Sequence, residues 1–216
     1  MPPETTRVAA LRRLLDERWT GSPVRSRRVV PTGVPQIDEL LEGGLGTGTL
    51  TEFVSVVPSG GAQLALGSLL LAARVARRRI ALLDASGAFA LDGLDDDAVA
   101  HVVWVRCPTL AVCWRAADLA ARDPNYSVVV LELRGVPVAE LQRTRSSVWV
   151  RLQRAVEETD TALLVQTTRA VVPNARARIS FAQPLDPACL TAPRSVVLRG
   201  VAVEWQRLRS AREAVG

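Results

Sequence analysis

Short apolar runs alternate with helical stretches along most of this chain, and that alternation leaves few folds open to it. Residues 50–54, 80–84, 102–107, 127–133 and 163–166 read as strands. Residues 36–41, 63–79, 109–122 and 138–158 carry helical spacing, with Leu141, Val148, Leu152 and Val156 as core candidates in the last. Strands apolar on both faces and joined through helices predict an α/β fold: a mostly parallel sheet flanked by helices. The segment 63–79 is apolar on more than one side, as suits a helix packed between a sheet and its neighbours. Arg77, Arg78 and Arg79 close it at the negative end of its dipole. Residues 179–183 and 195–205 have β-like patterns with no helix between them, so antiparallel C-terminal strands are expected to finish the sheet.

Before and after this core the character changes. The expected division is an N-terminal helix and basic linker over 1–28, a core over 29–205 and a tail over 206–216. Thr5 or Thr6 can cap a helix running to about Trp19. Val8, Leu11, Leu15 and Trp19 share one stripe of it and form a candidate partner-binding face. That face either docks on a neighbour or folds back on its own sheet. Arg25, Arg27 and Arg28 follow as a basic linker, and Arg207, Arg209 and Arg212 sit in the tail.

Composition removes several classes of function. A 48% hydrophobic chain of 216 residues can bury a full core, so disorder is excluded. No apolar run reaches the ~18–20 residues of a membrane span, and the first residues lack the pattern of a signal peptide. Cys107, Cys113 and Cys189 stand at no metal-ligand spacing, which points to a reduced, cytoplasmic chain. His101 is the only histidine, so a histidine metal site or a Ser-His triad is not expected. All 27 basic residues are arginine. This fits either a GC-rich coding bias or selection for binding anions, and the net charge of +5 permits an anionic partner without requiring one.

The stretch Ser55-Val56-Val57-Pro58-Ser59-Gly60-Gly61-Ala62 lies between a strand and a long apolar helix, the setting of a phosphate-binding loop. Such a loop reads G-x-x-x-x-G-K-[S/T], with lysine on the β/γ oxygens and a hydroxyl on magnesium. Here Ser55 stands for the first glycine, Gly60 for the second, Gly61 for the lysine and Ala62 for the hydroxyl residue. The frame is kept and the chemistry is missing.

With Pro31-Thr32-Gly33, Ile37-Asp38, Gly43-Gly44-Leu45 and Gly48-Thr49-Leu50-Thr51-Glu52 ahead of it, this stretch resembles the lead-in of RecA-type recombinases. The resemblance runs in order through Leu83-Asp84-Ala85, Val105-Arg106-Cys107-Pro108, the Walker-B-like residues 128–132 and Leu164-Val165-Gln166, about residues 30–205 in all. Leu50-Thr51-Glu52-Phe53 followed by a loop without lysine most resembles the ImuA family, RecA-like accessory proteins of damage-induced translesion synthesis.

The resemblance implies a RecA-like sheet and an adaptor without ATPase activity, cofactor or metal. Its implied partners are an ImuB-like polymerase-family protein, RecA, an error-prone replicative-type polymerase, weakly held single-stranded DNA, or a second copy of the chain. Ser86 stands where an active member carries its water-activating glutamate, and Glu132 where it carries the magnesium-shell aspartate. Glu132 is open between that role and a strand-end salt bridge. Arg169, Arg176 and Arg178 are the candidate DNA contacts, on a segment equated with the second DNA loop of a recombinase; a solvated basic loop is the other reading. Two rival functions remain at this level: a divergent RecA- or KaiC-like ATPase, and a SulA-like division inhibitor.

Overall fold

A computed structural model describes residues 28–91 and 93–207. The stripe Val8, Leu11, Leu15 and Trp19, most of the basic linker and the tail beyond Arg207 lie outside the described residues.

The described residues open with a small antiparallel ribbon, β1 (Val29–Val30) with β2 (Leu45–Gly46), joined through α1 (Pro35–Leu40). The Pro31-Thr32-Gly33 motif has a structural task here. The Asp38 carboxylate accepts from Thr32 N at 2.7 Å, Thr32 Oγ1 at 2.8 Å and Gly33 N at 3.1 Å, which pins the turn to α1.

The main sheet follows: β3 (Leu50–Ser55), β4 (Ile80–Asp84), β5 (Val102–Arg106), β6 (Val128–Glu132), β7 (Ala162–Thr167), β8 (Ala177–Phe181) and β9 (Glu204–Arg207). Their order is β5-β4-β6-β7-β3-β8-β9, parallel throughout except for β9. The strand leading to the glycine loop is therefore central, and the layout is consistent with the RecA-like sheet expected from the sequence.

Both faces are covered. On one, α2 (Ala62–Val75) packs Leu66, Leu69 and Leu70 against Phe53, Val130 and Leu164. On the other, α4 (Leu110–Arg122) and α6 (Ser146–Glu157) bury Ala117, Leu152 and Val156 against Val129, Leu131 and Val165. Edge-on ring pairs lock each layer: Phe53 with Phe181 at 5.4 Å, and Trp114 with Trp149 at 5.0 Å. Short helices α3 (Asp96–Val99), α5 (Val138–Gln142) and α7 (Arg194–Arg199) complete the described chain, with a 3-10 turn at Pro187–Thr191. No helix among the described residues is long and apolar enough to cross a membrane.

Two expected elements differ. The helix expected over 138–158 is broken into α5 and α6 by Arg143-Thr144-Arg145. Arg143 N and Thr144 N bond back to Glu140 O and Leu141 O and close the first helix there, and the break lets both Leu141 and Trp149 bury in one core layer. The strand expected over 195–205 begins only at Glu204, because residues 194–199 are helical. The run Ser195-Val196-Val197-Leu198 has β-like composition, but Pro193 starts a helix and packing on α2 keeps it. One antiparallel strand thus finishes the sheet, while β8 runs parallel to β3.

Glu52 is fully buried in the central strand. Its Oε1 accepts from Val171 N at 2.8 Å, Val172 N at 3.2 Å and Thr167 Oγ1 at 3.2 Å, and its Oε2 from Arg178 Nε at 2.8 Å. Glu52→Ala strands the Arg178 guanidinium and is expected to lower unfolding stability by about 3–5 kcal/mol. Glu52→Leu with Arg178→Leu, which removes both charges, should recover most of that loss in urea titrations; a double variant as unstable as the single one contradicts this account.

Candidate functional site

The sheet's carboxyl end gathers most of the residues singled out by the sequence. Ser55 ends β3, Gly60 and Gly61 make the turn, and Ala62 begins α2. Two features shape this loop. First, the end of β8 clamps it: Phe181 O accepts from Val56 N at 3.1 Å and from Val57 N at 3.4 Å. A Cβ on Gly60 would lie 3.0 Å from that same oxygen. Second, Gly61 is left-handed, at φ +97°, and a Cβ there would meet both γ-carbons of Val201 at 3.0 Å. Val201 is buried in the core layer beside Ala62, Phe181 and Leu198. The lysine position is thus wrong for a lysine in both backbone conformation and space.

The first intrahelical bond of α2 runs from Ala65 N to Gly61 O, so the N–H groups of Ala62, Gln63 and Leu64 have no partner inside the helix. These residues line a cleft of ≈ 560 Å³ whose opposite walls are Val56, Val57, Pro58, Leu185 and Pro187. Val56 is 53% exposed, and the cleft is more apolar than a phosphate site requires.

Arg134 reaches into this cleft from the turn after β6. Its Nε and Nη2 donate to the two oxygens of Glu132, each at 2.8 Å, and Nη2 also reaches Gln63 Oε1 at 2.5 Å. Glu132 therefore forms a strand-end salt bridge, a fork-on-fork pair that ties β6 to the start of α2. Its carboxylate is fully buried. Burial pushes the carboxyl above its ordinary range, outweighing Arg134, with Asp84 one strand away adding to the rise.

Asp84, Glu132 and Gln166 stand side by side in register on β4, β6 and β7. Asp84 Oδ1 accepts from Ser86 N at 3.1 Å and Gly87 N at 2.7 Å. Ser86 is a turn residue: its Oγ lies 3.4 Å from Asp84 Oδ1 and accepts from Ala88 N at 3.3 Å, while Gly135 packs against its side chain. Asp84 Oδ2 and both amide atoms of Gln166 are buried without a hydrogen-bond partner among the described residues. Sequence reasoning took Gln166 as part of a family pattern and missed it as a buried polar group; its place at the end of an otherwise apolar strand was the available signal.

The three candidate DNA contacts do not form one patch. Arg169 is exposed just beyond the carboxyl end of β7. Arg176 precedes β8, level with Leu50 and at the opposite end of the sheet, and its N–H donates to Leu50 O. Arg178 lies within β8, spent on Glu52 and Val172 O. The segment 168–176 must run back along the sheet because β7 and β8 are both parallel to β3, and this separates what the sequence placed on one loop. Among the described residues no cluster of three or more histidine, cysteine or acidic side chains could hold a metal ion. The cysteines are free thiols; burial pushes those of Cys107 and Cys113 up, which makes them unreactive.

No protein-family model matches this chain, and no curated protein does. What the fold and the site define is an α/β protein of RecA-like layout whose glycine loop is backed by Phe181 and Val201 and opens on a cleft.

Two outcomes are expected from this geometry. Gly61→Lys with Ala62→Thr should destabilise the fold by about 1–3 kcal/mol through strain at residue 61 and should show no ATP hydrolysis; turnover in that variant overturns the account. Glu132, with its folded pKa raised, adds stability below the ordinary glutamate value of about 4.3 that is lost as pH rises through the folded pKa. His101, held low first by burial and then by Arg74, acts with the opposite sign, its contribution lost as pH falls. The stability difference between the native chain and Glu132→Gln isolates the first effect. It should move in favour of the variant as pH rises above the ordinary glutamate value of about 4.3; a flat difference rules out the burial of Glu132 as its cause.

Proposed function

We propose that this chain is a non-catalytic, RecA-like adaptor of a DNA-damage-induced translesion-synthesis complex, acting by protein binding with an ImuB-like polymerase-family partner. The observation that carries the loss of catalysis is Val201 packed on a left-handed Gly61. Phosphoryl transfer needs a cation on the β/γ oxygens, a metal shell and a positioned nucleophile. Here the cation position is occupied by the core, the Walker-B-like carboxylate is closed by Arg134, and the place of the base is a serine turn. The adaptor role draws on the resemblance of residues 30–205 to RecA-like proteins and of Leu50-Thr51-Glu52-Phe53 with its lysine-free loop to the ImuA family.

One observation favours a second reading. The cleft beside α2 keeps backbone N–H groups with no partner inside the helix, and such a helix start holds anions well. Nucleotide binding without hydrolysis is therefore the rival. Millimolar ATP with magnesium separates the two. A dissociation constant one hundredth of the ligand concentration adds about 2.7 kcal/mol, which raises the melting point by several degrees in a chain of this size. The adaptor reading expects no such shift, no turnover, and co-purification with the polymerase-family partner. A shift of several degrees favours the rival, and failure to bind the partner removes the adaptor reading.

A further inference from the structure

The cleft between the glycine loop and residues 185–187 is held open from both sides. Leu185 N donates to Ser59 O at 3.0 Å and ties the far wall to the loop. The volume of ≈ 560 Å³ lies within the range of about 300–1,000 Å³ typical of ligand clefts. Val56, Val57, Pro58, Leu185 and Pro187 make the walls apolar.

Unmet polar groups gather at one end. The N–H groups of Ala62, Gln63 and Leu64 start α2 with no partner inside the helix. Arg134 spends Nε and Nη2 on Glu132 and Gln63, and its Nη1 is left without a partner among the described residues. Ser55 lines the cleft with a buried Oγ that has no hydrogen-bond partner there. Beneath them lies Gln166, fully buried, with both amide atoms unmet. Strand alternation puts its side chain on the α2 face, as it does that of Leu164. Its ladder partners are Phe53 and Glu132. Two residues beyond these three stand Thr168, Ser55 and Arg134, all in the lining of the cleft. An unsatisfied amide is thus directed at the cleft floor, and buried polar groups call for a partner.

Charge decides which ligand fits. Arg134 is offset by Glu132. The other charged residue of the lining is Asp186, exposed on the far wall with Oδ1 accepting from Ala188 N. Asp84 adds a carboxylate one strand from Glu132. A polyphosphate brings several negative charges to a place whose own balance is negative. A single carboxylate needs only the helix start and the open edge of Arg134, while the apolar walls take the side chains behind it. The carboxyl-terminal end of a polypeptide has this composition when its last residues are apolar, and backbone N–H groups are a known means of catching it.

We propose that this cleft binds the carboxyl-terminal end of another polypeptide. The terminal carboxylate meets the start of α2 and Arg134, and apolar last residues lie against Val56, Leu185 and Pro187. The proposal rests on the adaptor reading only in taking the ligand from a protein. Its test needs no polymerase-family partner, so either can fail alone.

The test is fluorescence anisotropy of the full chain with fluorescein-labelled hexapeptides ending in Leu, Ile, Val, Phe or Trp, each as free acid and as amide. At least one free acid should bind at submillimolar concentration, and its amide about tenfold more weakly. Gln63→Glu sets a carboxylate at the same helix start, keeps an acceptor for Arg134 and suits the helix dipole. The fold should hold, checked by melting temperature, while binding falls about tenfold. Val56→Ser, at a 53% exposed position, should weaken binding several-fold by removing apolar contact. No binding by any free acid, equal binding of acid and amide, or binding indifferent to both substitutions overturns the proposal. Displacement of the peptide by less octanoate, or by less ATP with magnesium, than unlabelled peptide also overturns it, and assigns the cleft to small acids or to nucleotides.

Discussion

One buried carboxylate holds the middle of this sheet together. Glu52 sits in the central strand with no exposure, and its two oxygens are answered by β7, by β8 and by the segment between them. An ionised group so placed is tolerable only when its hydrogen bonds are met. Meeting them fixes the path of residues 168–176 along the sheet. It also commits Arg178 to the interior and sends Arg169 and Arg176 to opposite ends of the strands. The distribution of basic charge on this face therefore follows from an interior requirement.

A second interior requirement closes the glycine loop. The end of β8 clamps Val56 and Val57, and the chain after α7 brings Val201 onto Gly61. Arg194 anchors that segment by donating to Leu64 O at 2.9 Å, and Gln36 reaches the carbonyl of Leu198 at 3.3 Å. A Cβ on residue 61 would press on both γ-carbons of Val201. A larger side chain at residue 61 thus faces a packing obstacle as well as a backbone one, because the left-handed conformation at Gly61 and the position of Val201 support one another.

The remaining polar row at the carboxyl end, Asp84, Glu132 and Gln166, is where the fold departs from simple core packing. Each orphaned buried group there costs about 1–3 kcal/mol, while Arg134 answers only Glu132. Carboxyl ends of parallel strands are where α/β proteins place their sites. The row at this end of the sheet, with Asp84 Oδ2 and both amide atoms of Gln166 unpartnered among the described residues, lies where such sites are placed.

Much of the architecture was legible in the sequence. Strand and helix periods, the helix expected over 109–122 and the glycine loop all act over a few residues, so local chemistry determines them; β4 falls on the expected residues 80–84. The departures of Ser55, Gly61 and Ala62 from a phosphate-loop pattern were also legible, because side-chain chemistry is written position by position. Tertiary structure alone decided the rest. The run Ser195-Val196-Val197-Leu198 became helix because α2 offered it a surface. The helix expected over 138–158 broke so that Leu141 and Trp149 could both bury. Val201 met Gly61 from 140 residues away in sequence, and Arg178 met Glu52 across 126. Periodicity tells which side of an element is apolar and composition tells what a residue can do, but which residues meet depends on how the strands are ordered, and that order is fixed only when the whole sheet assembles.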